Sequence, residues 1–278
     1  MELNKTGERG YLVSAIVYTY NAERFIRGKL EDLEAQTIAD RMEIIVIDSG
    51  SQENERAIVE EFQKRYKNIR YIRTDQRETV YQAWNRGIRA STGRFITNAN
   101  TDDRLRRDAI EVMVNTLLTK PDKAAAYGDS IVTLVPHETF DHCTCDDYLR
   151  WPDFDREKLL KLCYLGPHPV WRRELHESEG YFDESYRCAA DYEFWLRLAM
   201  KHEFMHIPEP LGLFWLNEGT VSRKGDLPRT ETKIIQRKYR KKYCWLNAKK
   251  RMIAILKICA SPVLARKSCK GKMGNDIQ

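Results

Sequence analysis

The chain has 278 residues, 42% hydrophobic and 32% charged, with 14 Gly and 9 Pro, which suits one large domain or two small ones and excludes collagen-like, low-complexity and wholly disordered chains. From Arg223 onward there are 17 Lys/Arg against 3 Asp/Glu, whereas residues 1–222 carry 30 against 38. An acidic body with a basic tail excludes the even basicity of a nucleic-acid-binding fold and points one end of the molecule at an anionic surface.

No run of ~18 apolar residues occurs, so no spanning helix is expected. Met1 to Gly10 is polar and does not read as a secretory leader, and seven cysteines without a repeating framework fit free thiols in a reducing cytosol.

In chain order, Tyr11 to Tyr18 is a β-rich apolar run, followed by a helical stretch from about Ala22 to Ala35. Met42 to Asp48 is a second such run, apolar on both faces, and stops at the Ser49-Gly-Ser51 turn. A charged helix is expected to about Tyr66, a strand over Ile69 to Thr74, a helix over Thr79 to Ala90 and a strand over Arg94 to Thr97. A helix over Asp103 to Leu118 and a strand over Ala124 to Thr133 complete the first half. This alternation predicts an α/β fold with a mainly parallel sheet flanked by helices, whose ligands bind beyond the carboxyl ends of the strands. Neither G-x-G-x-x-G after the first strand nor G-x-x-x-x-G-K-[ST] is present, which removes the main support for dinucleotide and P-loop readings.

Three features can carry chemistry. Asn100-Thr-Asp102-Asp103 follows a strand, where two carboxylates can hold a hard divalent cation or simply begin the next helix. Asp48, at the end of a buried strand, can accept hydrogen bonds from a nucleobase or ribose, or merely form the turn. Asp191 opens an amphipathic helix carrying Phe194, Trp195, Leu198 and Ala199, and is either a general base or a cap.

Together these pieces resemble the family 2 glycosyltransferases, inverting enzymes of the GT-A fold, from Tyr11 to about Ser222. The resemblance is carried by Val17-Tyr-Thr-Tyr-Asn-Ala22, Glu43-Ile-Ile-Val-Ile-Asp-Ser-Gly-Ser51, Asn85 to Ile96, the Asn-Thr-Asp-Asp element, Gly180-Tyr-Phe-Asp-Glu184 and Asp191 to Arg197, in this order. It implies that Tyr18, Thr19, Tyr20 and Asn21 wall a nucleoside pocket, that Asp48 pairs with the base, and that Arg77 lies near the base and diphosphate. It further implies that Asp102 touches the ribose, that Asp102 and Asp103 hold Mn²⁺ or Mg²⁺ on the diphosphate, and that Asp191 is the catalytic base. Asn100 stands where the usual D-x-D has its first acid.

The segment Leu165-Gly-Pro-His-Pro-Val-Trp-Arg-Arg173 falls on the acceptor side of the resemblance. There Trp171 is expected either to stack on a sugar or to pack in the core, with Arg172 beside it and His168 near the diphosphate. His142-Cys-Thr-Cys145 lacks a second ligand pair and is a weak zinc candidate. In the tail, Met252, Ile255, Leu256 and Cys259 share one helical face and Lys250, Arg251 and Lys257 another, before Pro262. A helix of this kind over 229–267 can lie on an anionic membrane or pack against the catalytic domain.

The expected organisation is a GT-A catalytic domain over 1–222, with a donor half at about 11–133 and an acceptor half at about 134–222, followed by a basic helical extension over 223–278. The tail beyond Arg229 is expected to serve membranes rather than nucleotide binding. The expected activity is cytoplasmic transfer of a sugar from a nucleotide-diphosphate sugar, UDP favoured, to a glycan or lipid-linked acceptor of a surface polysaccharide or lipopolysaccharide. A nucleotidyltransferase and a non-catalytic glycan- or membrane-binding relative compete with it; Asn100 favours the last and Asp191 opposes it.

Overall fold

The apolar runs become the centre of a nine-stranded sheet in the structure, a computed structural model that describes residues 10–145, 147–217 and 225–260. β1 (Val13–Thr19), β2 (Met42–Asp48), β3 (Ile69–Arg73) and β4 (Phe95–Asn98) pair in parallel in the order β3-β2-β1-β4. Every residue of β2 is buried, because helices cover both faces of the sheet. Val13, Ala15 and Val17 pack with Met42, Ile44 and Val46 against α1 (Glu23–Glu34), α2 (Glu55–Arg65) and α4 (Ala109–Thr119). α3 (Val80–Ala90) covers the other face and starts with a reciprocal capping box between Thr79 and Gln82.

The expected helix from Asp103 starts six residues later. Arg104–Leu105 instead form β5, antiparallel to β9, and the Leu105 amide donates to the Asp32 carboxylate at 3.1 Å. The backbone after Asp103 is thus claimed by the sheet, and α4 opens only at Ala109.

Beyond β4 the sheet becomes mixed. β6 (Lys123–Thr133) pairs with β7 (Tyr148–Leu149) and, in parallel, with β9 (Glu203–Trp215). β8 (Val170–Arg172) inserts antiparallel between β4 and β6. Short helices α5 (Arg156–Leu159) and α6 (Leu175–Ser178) precede α7 (Ala190–Ala199), and α8 runs over Leu227–Ala260.

Among the described residues the chain divides into two compact units, with the boundary between Tyr239 and Arg240. The first unit therefore extends past the expected limit at 222, taking in the start of α8 with Ile235 and Tyr239 in its core. In the second unit the backbone is helical to Ala260 and Met252 is exposed. The side chains expected to form the rest of the amphipathic face, Ile255, Leu256 and Cys259, lie outside the described residues, as do Pro262 and the rest of 261–267.

Candidate active site

The carboxyl ends of β1, β2 and β4 bring three of the expected groups to one edge of the sheet. At the end of β1, Asn21 adopts a left-handed backbone (φ 48°). Its amide donates to the Ser51 hydroxyl at 3.2 Å and its side-chain oxygen accepts from the Gln52 amide at 2.8 Å, which ties the β1 and β2 loops together. The Arg77 guanidinium lies 4.0 Å over the ring of Tyr20. Burial raises the Tyr18 hydroxyl, and Arg77 and Ser49 pull it back, so Tyr18, Tyr20, Arg77 and Ser49 share one neighbourhood. Thr19 is buried and its hydroxyl has no hydrogen-bond partner among the described residues.

Asp48 is fully buried. One carboxylate oxygen accepts the Ser51 amide at 2.8 Å, which is the turn role; the other accepts from the Tyr71 hydroxyl and from Arg73 at 2.6 Å. Burial pushes the carboxyl up, but the hydrogen bonds from Tyr71, Ser51 and Arg73 outweigh it and hold Asp48 below its ordinary range. Tyr71 in turn is pushed up to about 12, by burial and then by its bond to Asp48. Tyr71 and Arg73 went unremarked in the sequence, although their i, i+2 spacing places both on the same face of β3.

Asp102 and Asp103 lie in the turn between β4 and β5. Because α4 begins only at Ala109, neither carboxylate sits at a helix start, and that alternative falls away. Asp103, 1% exposed, accepts from the Asn100 side chain at 3.0 Å and the Trp215 amide at 3.3 Å. Burial, and then the neighbouring Asp102, raise its carboxyl above the usual range; Asp102 is also raised by burial. Behind them stands Lys29, fully buried on α1 and 3.2 Å from Asp32. Burial lowers its amine, and its charge reaches both Asp102 and Asp103. The signal for Lys29 was present in the sequence, since it falls in the i, i+3, i+4 apolar stripe of Ile26, Leu30 and Leu33.

His168 joins this group. The segment before β8 is docked on the end of β4 by Asn98, which donates to the Pro167 carbonyl at 3.1 Å, and Thr97, which donates to the Pro169 carbonyl at 3.0 Å. The imidazole packs so tightly on Gly212 of β9 that any side chain there would collide with Nδ1. Its Nε2 lies 3.6 Å from the Asp103 carboxylate and has no hydrogen-bond partner among the described residues. Burial, with a contribution from Lys29, holds the ring well below its usual range, so it is neutral.

Two acceptor-side residues point away from the site, and for Trp171 the core alternative is the one the structure takes. Trp171 is 1% exposed: its indole N–H donates to His176 at 2.8 Å and its ring packs edge-on against Phe182, Phe194 and Trp195. It is a core residue, with no face left for a sugar. Arg172 pairs with Phe95 at the opposite end of β4 from the site and donates to the Lys123, Leu117 and Lys120 carbonyls at 2.8, 2.6 and 3.2 Å. Its guanidinium secures the carbonyls at the end of α4 and the start of β6. At the weak zinc candidate, Cys143 and Cys145 are free and donate to backbone carbonyls.

Asp191 lies in the first turn of α7, partly exposed, and accepts the Tyr81 hydroxyl at 2.9 Å. Burial raises its carboxyl, and hydrogen bonds from the Tyr192 amide and Tyr81 only partly offset this. Tyr81 sits in the first turn of α3, four residues after Arg77, so one short segment reaches both the tyrosine wall and Asp191. The Cys163 thiol is pushed well above its ordinary range by burial and then by the charge of Asp191, which places it beside the carboxylate.

The fold has relatives among solved structures. That of S. aureus TarS in complex with UDP-GlcNAc superposes with a TM-score of 0.63 at 18% identity, over 77% of this chain and 61% of that one. The mannosyltransferase PcManGT from Pyrobaculum calidifontis, in complex with GDP-Man and Mn²⁺, superposes with a TM-score of 0.53 at 21% identity, over 72% and 55%. The curled sheet with its flanking helices is of the GT-A type.

The Glycosyl transferase family 2 model matches residues 14–159, and the chain belongs to that family. Among curated proteins, Escherichia coli chondroitin synthase is 28% identical over 203 residues, 73% of this chain. The chain spans 28% of that relative's length. The family match covers the tyrosine wall, Asp48 and the Asp102–Asp103 pair; Asp191 lies beyond it.

Proposed function

We propose that this chain transfers a sugar from a nucleoside-diphosphate sugar, a UDP-sugar in the first instance, to a hydroxyl of a glycan or lipid-linked acceptor, with inversion at the anomeric carbon. The observation that carries this reading is the state of Asp191: a carboxylate at a helix start, raised by burial and oriented by Tyr81. A carboxylate so raised is a better proton acceptor for a sugar hydroxyl, and such a base contributes of order 10²–10⁴-fold. Tyr18 to Asn21, Asp48 and Arg77 would bind the nucleoside and diphosphate, with Arg77 placing positive charge where the leaving group gains negative charge.

Asp102 and Asp103 would hold a divalent cation, Mn²⁺ or Mg²⁺, that neutralises charge on the diphosphate. Among the described residues no cluster of three or more His, Cys, Asp or Glu has metal-binding geometry. The donor set nevertheless fits: Mg²⁺ is commonly held by one or two carboxylates with substrate phosphates completing its shell. Two raised, adjacent carboxylates and an orphaned imidazole nitrogen 3.6 Å from one of them are what a cation would satisfy. Donor and acceptor halves dividing near 133, and a peripheral position on the cytoplasmic face of a membrane during surface-polysaccharide assembly, belong to the same proposal. No helix among the described residues is long and apolar enough to cross a membrane.

The test is nucleotide release from a panel of UDP- and GDP-sugars, with and without Mn²⁺, and the anomeric configuration of the product by NMR. Turnover should be lost in excess EDTA, restored by Mn²⁺ or Mg²⁺, and weakened by Asp102→Ala and Asp103→Ala. Full activity in EDTA would remove the metal role, and a retained configuration would remove inversion.

A further inference from the structure

The basic helix α8 carries one acidic side chain between Leu227 and Ala260, Glu231. Glu231 is 6% exposed, and its carboxylate accepts three successive backbone amides: Arg187 at 2.8 Å, Cys188 at 2.8 Å and Ala189 at 3.1 Å. These are the residues that lead into α7, two positions before Asp191. Ala189, at the N-cap, offers no side-chain cap of its own, so Glu231 supplies from another helix the capping acceptor that Ala189 cannot.

The same stretch of α8 grips the residues on the other side of Asp191. Gln236 reaches the Tyr192 hydroxyl at 3.4 Å and the Lys161 carbonyl at 2.9 Å, while Lys238 at 3.1 Å and the Tyr239 hydroxyl both donate to Glu193. Asp191 is therefore flanked in sequence by residues that α8 holds, and its own carboxylate is held from α3 by Tyr81.

We infer that Glu231 is a positioning residue for the transfer reaction, fixing the backbone before α7 so that the Asp191 carboxylate stays aimed at the acceptor hydroxyl. The inference rests on the reading of Asp191 as the base. Glu231 also acts through its charge, adding to burial in raising Asp191. Among the described residues the other groups facing Asp191 are Tyr81 from α3, Cys163 from the segment after α5 and Cys188 from the loop before α7. None of these three is negatively charged at neutral pH, since all are raised above their ordinary values, so Glu231 is the anion whose removal Asp191 should sense.

The experiment uses the full chain labelled with [¹³C]aspartate, with the Asp191 carboxyl resonance assigned by its loss in Asp191→Asn. In Glu231→Gln the Asp191 titration midpoint should move to lower pH by roughly half a unit, as expected when a nearby like charge is removed. The amides of 187–189 should exchange faster, and UDP should bind within about two-fold of wild type, since the donor wall is untouched.

Glu231→Asp keeps the charge but withdraws the carboxylate by one methylene. It should leave the midpoint in place while lowering kcat for UDP-sugar turnover by about ten-fold at unchanged donor KM. An unmoved midpoint in folded Glu231→Gln, or wild-type kcat in Glu231→Asp, overturns the inference, and the second variant decides should the first not fold. If Asp191→Asn is inactive while both Glu231 variants behave as wild type, the inference alone falls. If Asp191→Asn keeps full turnover, the base reading falls and takes the inference with it.

Discussion

Asp191 and Asp48 are both carboxylates inside the same body, yet their surroundings drive them apart. Asp48 is held ionised by Tyr71, Ser51 and Arg73, against the effect of its burial. Asp191 has fewer donors, and burial wins. A group held low serves as a fixed acceptor, while a group held high can take a proton. Asp191→Asn should therefore lower kcat by at least ~10²-fold while leaving nucleotide affinity near wild type, because it removes the proposed base and keeps the shape. The base works only when deprotonated, so turnover should fall as pH drops through its pKa. With that pKa raised by burial, the acid limb of kcat should lie above the ~3.9 of a free Asp. Kinetics over pH 4–8 check both points, and activity within a few-fold of wild type in the Asn variant would place the base elsewhere.

Between elements, the join of α3 to β4 shows how little space the sheet leaves. Glu43, 1% exposed on β2, gathers the Ser14 hydroxyl, the Thr92 amide and hydroxyl and the Gly93 amide on one carboxylate oxygen. This locks the turn that feeds β4 against β1. Gly93 lies so close to β1 that an added Cβ would stand 2.6 Å from the Ser14 nitrogen and the Val13 carbonyl carbon. Backbone cannot rotate away as a side chain can. Gly93→Ala should thus destabilise by about 3 kcal/mol or more, toward the severe end of overpacking. Since β4 leads to the Asp102–Asp103 turn, the variant should also weaken donor binding. Urea unfolding and UDP calorimetry read the two effects, and an unchanged midpoint would mean that the turn can relax.

Across the whole chain, charge and packing divide at different places. Charge changes sign at about Arg223, but the first compact unit continues to Tyr239 because Glu231, Ile235 and Tyr239 are buried in it. Part of the tail beyond Arg229 that is expected to serve membranes rather than nucleotide binding is therefore packed inside the first unit. A chain ending at Tyr239 should stay folded and bind UDP, whereas one ending at Pro228 should lose stability through exposure of the α7 start. Residues 240–278 carry 11 Lys/Arg against one Asp, and residues 1–239 carry 36 against 40. Attraction to anionic lipid should therefore reside in the segment after Tyr239, at ~1 kcal/mol per basic residue near the surface. It should fall steeply with salt, because screening acts over ~10 Å at 0.1 M. Co-sedimentation with phosphatidylserine vesicles should separate the full chain from the chain ending at Tyr239; equal sedimentation would rule out a membrane role for the tail.

Local pattern alone determined much of this molecule. The runs at Val13–Thr19 and Met42–Asp48, and the helical stretch between them, were legible because apolar period and turn residues are properties of neighbours in sequence. The family resemblance rested on the same local pieces. What tertiary structure decided was everything that depends on which distant residue arrives beside which. β5 displaced the start of α4 because β9, some 100 residues on, offered a partner. Trp171 went to the core because Phe182, Phe194 and Trp195 closed around it, and Arg172 turned to the end of α4. Lys29 and Glu231 were visible as misfits, a lysine in an apolar stripe and a lone acid in a basic helix. Their meaning came only from the carboxylates and amides that the fold placed against them, because a buried charge is tolerated only where its partner is built.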